Sequence, residues 1–415
     1  MLPTKRIRML FSNYIVLRVF LINNTVLFDD KMVYLAKMNL ERSFVMRKAL
    51  ICASVLSMLI SSKAIASEMD LSEINETGKT DVSYSISEGL EFKSNGDGTC
   101  SITGIGTCTD TELVIPNQSP EGDEVTLIEE NAFMSLENVE SVTLIDADYK
   151  VGRQAFRYGE FDEINIIGGN PAIQDWAFSN CHKITQILIK NCDIKMAENA
   201  FCECGENFSV YIENCTGSIG LRAFWLGEMI KLTISSSELK IEEDAFSNCK
   251  DLKNILITDS KIETEKSAFY ICGNEANVEI RNSNVNLGEV AFQYSSISSL
   301  LITGEEIEIG DGTFSACNDL STVVIDGDNT TIQEHAFISC ENLASVFICD
   351  NEVMNNNIKI GETSFRYCEK LESIIIGNGN ISIGDYAFYG CSDDLIISVS
   401  GASYTAESIN NGIFS

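Results

Sequence analysis

The sequence predicts a repeat solenoid of about twelve units of 22–23 residues, with stacked parallel β-strands on one face and short 3₁₀ or helical turns on the other. Three observations predict it. Phenylalanine recurs at Phe133, Phe156, Phe178, Phe201, Phe224, Phe246, Phe269, Phe292, Phe314, Phe337, Phe365 and Phe388, in steps of 22 or 23 residues broken once by a step of 28. Alanine precedes ten of these twelve, with Thr313 and Ser364 the exceptions. Nine and eleven residues after the Phe come paired aliphatics, as in Ile187/Ile189, Ile255/Ile257, Val323/Ile325, Val346/Ile348 and Ile374/Ile376. Five residues before it stands a mostly apolar residue, as in Ile128, Ile173, Ile241, Ile309 and Ile383, and glycine often follows that position, as in Gly220, Gly288, Gly310, Gly361 and Gly384. A fixed short period marks stacked units, because one unit cannot bury its apolar face alone.

Along the chain, residues 46–66 carry a targeting pattern. Arg47 and Lys48 precede an apolar run from Ala49 to Ile60, and Ala64-Ile65-Ala66 follows. A basic start, a short apolar core and an A-x-A site read as a secretory signal peptide. Residues 1–45 are then an upstream extension ahead of a start at Met46, the alternative being a long cytoplasmic leader. Residues 67–88 read as an acidic flexible lead, 89–126 as an N-terminal β cap, 127–398 as the repeats and 399–415 as a C-terminal cap. A cap is expected because the first repeat would otherwise expose its apolar edge.

Within a unit, the aliphatic pair alternates with other residues, the period of a strand with one buried face. Recurring once per unit in one chain direction, such strands stack in parallel. The x-A-F-x-x-C-x-x-L segment has the spacing of a helical or 3₁₀ turn that points Phe inward. Twelve units at about 4.8 Å each give a right-handed solenoid roughly 55 Å long. A longer period lies over the short one. Phe156, Phe224 and Phe292 are each 68 residues apart, and their units lack the cysteine found three residues after most other Phe, carrying Gly159, Gly227 and Ser295 instead. A three-unit block has been copied, which suits an interaction surface better than a catalytic site.

Composition excludes several functions. A formal charge of −32 excludes nucleic acid as a partner and disfavours an anionic membrane surface. No permanent membrane segment is expected once the signal peptide is removed. His182 and His335 are the only histidines, and neither has a nucleophile beside it in a known catalytic motif. No calcium loop or paired-cysteine zinc motif is present, so neither metal nor cofactor is expected. Eight of the fifteen cysteines hold the repeated position: Cys181, Cys204, Cys249, Cys272, Cys317, Cys340, Cys368 and Cys391. They read as a buried apolar column, with a ladder of disulfides between neighbours as the alternative. Cys100 and Cys108 flank Gly104-Ile105-Gly106, a candidate hairpin turn, and are a candidate disulfide stapling the cap. The residue inside each aliphatic pair forms a column facing outward from the strands: Leu188, Tyr211, Thr233, Leu256, Glu279, Leu301, Val324, Phe347 and Ile375. Large apolar side chains there make this strand face the candidate protein-binding surface.

The pattern I-G-x-x-A-F-x-x-C-x-x-L-x-x-I-x-I resembles the BspA-like leucine-rich repeat family. The lead-in from Gly89 to Phe133 and the tail from Gly401 through Phe414 are similar to the family's opening and closing segments, so the resemblance covers roughly residues 89–415. It implies a leucine-rich-repeat solenoid, exported or held at the cell surface, that binds host, matrix or partner-cell proteins and carries no catalytic residues. The chain departs from the pattern at the cysteine-free units and at a five-residue insertion around Asn351 to Asn357. The expected function is protein binding, adhesin-like, through the strand face. A carbohydrate-binding or structural envelope role is the alternative; on the strand face only Tyr211 and Phe347 offer the aromatic platforms a glycan needs.

Overall fold

In a computed structural model of the chain, the described residues are 5–11, 15–22, 25–28, 84–349 and 357–410. They belong to two units, Met1–Ser83 and Tyr84–Ser415. In the first, the strands Lys5–Phe11, Ile15–Ile22 and Thr25–Phe28 pair in that order as an antiparallel sheet. The signal peptide at 46–66 and most of the insertion before Phe365 lie outside the described residues.

In the second unit, the aliphatic pairs form the expected strands. Among the described residues, thirteen parallel strands run from Glu112–Ile115 to Ile396–Val399. They stack in exact alignment of equivalent positions: Ile164 lies opposite Ile187, then Val210, Leu232, Ile255 and Val278 in successive coils. These inward side chains are buried.

The sequence reading named one strand per unit, and the structure has two. A second ladder is built from the residues leading up to each Phe, as in Asp193–Met196, Glu238–Ile241, Lys261–Thr264 and Asn284–Leu287. Its strands are only about four residues long, too short for the alternation of Leu239/Ile241 or Val285/Leu287 to stand out from the background. The two ladders meet at a corner where Asn191, Asn214, Ser236, Asp259 and Asn282 take positive φ. Two strands, Ile297–Ile309 and Thr322–Ile332, run through both ladders. Gly304 makes the first of these possible, since a Cβ there would sit 2.0 Å from the Ser283 carbonyl oxygen.

The third side corrects the expectation of helical or 3₁₀ turns. Each stacked Phe is flanked two residues away on both sides by a residue with positive φ, as with Gln154 and Tyr158 around Phe156, or Asp244 and Asn248 around Phe246. A helix cannot contain such residues. Backbone N–H groups alternate here between two kinds of partner. Phe246 donates to Ala268 of the next coil at 2.7 Å, while Ser247 donates back to Asp244 at 2.9 Å. Coil-to-coil bonding therefore continues on all three sides, and the backbone of each coil is satisfied by its neighbours.

Inside, the twelve Phe rings form one column. Successive centroids are 4.6 to 5.7 Å apart and the planes lie within 16° of parallel. This spacing is the coil rise itself, and it falls in the range of offset-stacked aromatics. The repeated cysteines sit beside this column as free thiols. Each donates to the carbonyl oxygen of the preceding coil's Phe: Cys181 to Phe156 at 3.2 Å, Cys249 to Phe224 at 3.3 Å, Cys317 to Phe292 at 3.1 Å and Cys340 to Phe314 at 3.1 Å. In the cysteine-free unit, the Ser295 hydroxyl does the same for Phe269 at 2.8 Å. Where Gly159 stands, the Phe161 ring fills the space a side chain would take.

Both ends are closed by antiparallel strands. Glu91–Ser94 covers the first strand of the second ladder, Thr99–Gly104. Ala402–Tyr404 covers the last strand of the first, and the helix Ala406–Asn410 buries Ile409 beside it. Covering an edge removes its template for pairing with another chain. The N-terminal hairpin turns at Asn95–Gly98, not at Gly104–Gly106. Cys100 is therefore paired across the hairpin with Ser94, and its thiol donates to the Asp123 carbonyl oxygen at 3.6 Å. Cys100 and Cys108 are both free, so the candidate disulfide is absent from this structure.

Candidate binding faces

The strand face is a five-residue-wide ribbon. Its centre is a continuous column in strict register: Leu188, Tyr211, Thr233, Leu256, Glu279, Leu301, Val324, Phe347 and Ile375. The structure thus brings all nine sequence-predicted residues together. It also extends the column with Val114, Thr143 and Asn165 at one end and Ser398 at the other. Strand stacking packs these side chains on one another, so none is widely exposed, and Phe347 retains only 4% of its surface. Phe347 is accordingly part of a packed strip, not a free aromatic platform.

The flanks of the ribbon are mild: Gln186, Ser209, Asn254, Ser299 and Thr322 on one side, Ser235, Thr258 and Thr303 on the other. Its charges are mostly compensated. Lys190 bonds Glu213 at 2.9 Å, Lys231 lies 5.0 Å from the Tyr211 ring centre, and Arg281 pairs with Glu279. Much of the chain's acidity therefore lies elsewhere. One such place is the corner beside the ribbon, where Asp259, Glu305, Asp326 and Asp328 line an open groove of about 800 Å³. Among the described residues, no cluster of three His, Cys, Asp or Glu side chains is placed to hold a metal ion.

The family model for the BspA type leucine rich repeat region matches six copies, over residues 126–253, 217–344 and 345–415. The chain belongs to that family. No curated protein matches it. Similar solved structures include a leucine-rich repeat protein from Bacteroides ovatus, 21% identical over 74% of this chain and 92% of that one, with a TM-score of 0.35. A leucine rich cell surface protein from Faecalibacterium prausnitzii is 16% identical over 78% and 96%, with a TM-score of 0.26. A leucine-rich repeat protein from Eubacterium ventriosum is 17% identical over 74% and 94%, with a TM-score of 0.33.

In this BspA-type chain seven of the eight repeated thiols are buried, and Cys391 is half-buried. Burial pushes the Cys202 and Cys391 thiols up to about 12 and holds Cys204, Cys249, Cys317 and Cys368 well above their ordinary value. A thiol that stays protonated is neither a nucleophile nor a metal ligand. The two histidines are apart, and His335 Nδ1 contacts Asp311 Oδ1 at 3.0 Å.

The sequence reading missed the turn side. Large exposed side chains gather there, not on the strand face: Tyr158, Leu226, Tyr294, Tyr367, Tyr386 and Tyr389. The signal was present in the 68-residue block, since Tyr158, Leu226 and Tyr294 share its phase, two residues after Phe156, Phe224 and Phe292.

Proposed function

We propose that this protein acts without catalysis, as an exported or cell-surface module that docks a protein partner, adhesin-like, on its strand face. The observation that carries this reading is the strip itself. An apolar centre with Ser, Thr and Asn flanks and compensated charges has the make-up of a protein interface, with an apolar core and a polar rim. Nine strands by five residues span about 40 Å by 17 Å, roughly 700 Å², close to the ~800 Å² per partner of a standard interface. The signal-peptide pattern at 46–66 supports export.

The test compares the parent with Leu256→Thr/Leu301→Thr, which removes two apolar side chains but keeps strand propensity. Both are used to capture proteins from extracellular matrix, serum and envelope fractions, with folding checked by circular dichroism. A protein bound by the parent and at least tenfold more weakly by the folded variant supports the strand face. Equal binding, or no captured protein, counts against it.

A further inference from the structure

Two residues after each stacked Phe, the backbone is left-handed along the turn side. Five coils place there a small or tolerant residue, Ser135, Asn180, Asn248, Ser339 and Gly390, and three others place Glu203, Ile271 and Ala316. Every third coil carries a large side chain that reaches solvent. Tyr158, Leu226, Tyr294 and Tyr367 occupy the same position with φ of 61°, 56°, 59° and 62°. The left-handed region is unfavourable for bulky L-residues. These four do not repay it by filling the core, for they are 42%, 37%, 56% and 40% exposed. Ile271, the other large apolar residue at this position, is half-buried, so large exposed side chains recur here at one phase of three coils.

The positions are also built up as platforms. The Arg157 guanidinium lies 4.6 Å from the Tyr158 ring centre and 5.2 Å from that of Trp176. Arg366 lies 4.6 Å from Tyr367 and 5.2 Å from Tyr389. Thus Phe156-Arg157-Tyr158 and Phe365-Arg366-Tyr367 raise the same ring–guanidinium–ring group in two separate coils. Asn180 accepts from Arg157 at 3.2 Å and donates to Glu203 at 2.7 Å, which fixes the first group in place. Tyr294 stands edge-on to Tyr270 with centroids 5.9 Å apart, and Trp225 adjoins Leu226. Side chains ordered in advance lose less entropy when a ligand arrives.

We propose that the turn side is a binding ridge for a linear, neutral polysaccharide, with stacking stations at Tyr158, Trp225/Leu226, Tyr294 and Tyr367. The stations recur every three coils, about 14 Å at about 4.8 Å per coil. Strict repetition of a station matches a ligand that itself repeats. The C–H face of a sugar ring stacks on an aromatic face, and its hydroxyls take planar guanidinium and amide partners. The net charge of −32 disfavours an anionic polymer. This inference does not rest on the strand-face reading.

The purified protein is run in native gels containing β-glucan, xylan, galactomannan or starch. Its variant is Tyr158→Asn/Tyr294→Asn/Tyr367→Asn, which installs the residue that Asn180 and Asn248 supply at this position and that tolerates left-handed backbone, so its melting temperature should hold or rise. The parent should be retarded by at least one polysaccharide. Tyr294→Asn alone should weaken binding about tenfold, the loss of one stacking contact. The triple variant should run unretarded, and Leu256→Thr/Leu301→Thr should run like the parent. No retardation of the parent in any gel overturns the proposal, as does equal retardation of the folded triple variant. Loss of retardation only in the strand-face variant places the ligand on the other face. Loss of a captured protein in the triple variant, without gel retardation of the parent, gives the ridge to a protein ligand instead.

Discussion

Cys317 offers a test in which the sign of a difference decides. Its thiol is buried and donates to the Phe292 carbonyl oxygen at 3.1 Å. If the cysteine column were only apolar filling, alanine would replace it better than serine, because serine buries a hydroxyl. The structure reverses that order. Cys317→Ala removes this donor from the Phe292 carbonyl, which keeps the Ser295 N–H at 3.1 Å, at about 0.5–1.5 kcal/mol. Cys317→Ser reproduces what Ser295 already does for Phe269 at 2.8 Å one coil earlier. Serine should therefore be the more stable variant by about 0.5–1 kcal/mol, a factor of about 2–5 in the local opening constant. Long repeat arrays unfold with limited cooperativity, so the assay should be local. Native-state hydrogen exchange at Thr313 and Phe314, whose amides donate to Gly310 at 3.3 Å and Ala336 at 2.7 Å, reads the relevant coil. Protection in Cys317→Ala equal to or above that in Cys317→Ser would refute the carbonyl-capping role.

Phe246→Ala removes a ring stacked at 5.0 Å on Phe224 and 4.9 Å on Phe269, and should cost about 3–5 kcal/mol. Hydrogen exchange should accelerate in those three coils and not around Phe133 or Phe365, because each coil contacts only its neighbours; a uniform change across the solenoid would contradict this. Arg281→Met leaves the buried Glu279 carboxylate with the Asn277 amide at 2.7 Å but without its counter-charge, and should destabilise by up to about 3 kcal/mol, the low end for a broken buried pair because Arg281 is partly exposed. Replacing both, as Glu279→Leu/Arg281→Thr, copies the neighbouring coils and should fall within about 1 kcal/mol of the parent in a denaturant titration. Stability should fall with rising pH from about 9 to about 12, the span between an ordinary thiol and the raised Cys202 and Cys391. There the unfolded chain loses thiol protons that the folded chain keeps, so folding is favoured below the unfolded value and weakened above it. An alkaline melting series in which alanine at both positions leaves the slope unchanged would rule this out.

The sequence alone determined the stacking. A Phe every 22 or 23 residues and an aliphatic pair at fixed distance from it state that equivalent atoms lie one above another, and in a solenoid that is most of the fold. The strand-face column was legible for the same reason, since period-two alternation fixes which side of a strand each residue takes. The second ladder was not legible, because four residues such as Lys261–Thr264 carry too little alternation to be read as a strand. Nor was the turn side, where x-A-F-x-x-C has helical spacing but left-handed residues such as Gln154 and Asp244 exclude a helix. Tertiary structure also decided the role of the cysteines and the fate of the expected Cys100–Cys108 link. Whether a thiol meets another thiol or a carbonyl depends on which atoms the neighbouring coil presents, and which rings reach solvent depends on the φ of the residue that bears them. Spacing within one chain segment records neither, because both are fixed only when coils 22 or more residues apart are brought into contact.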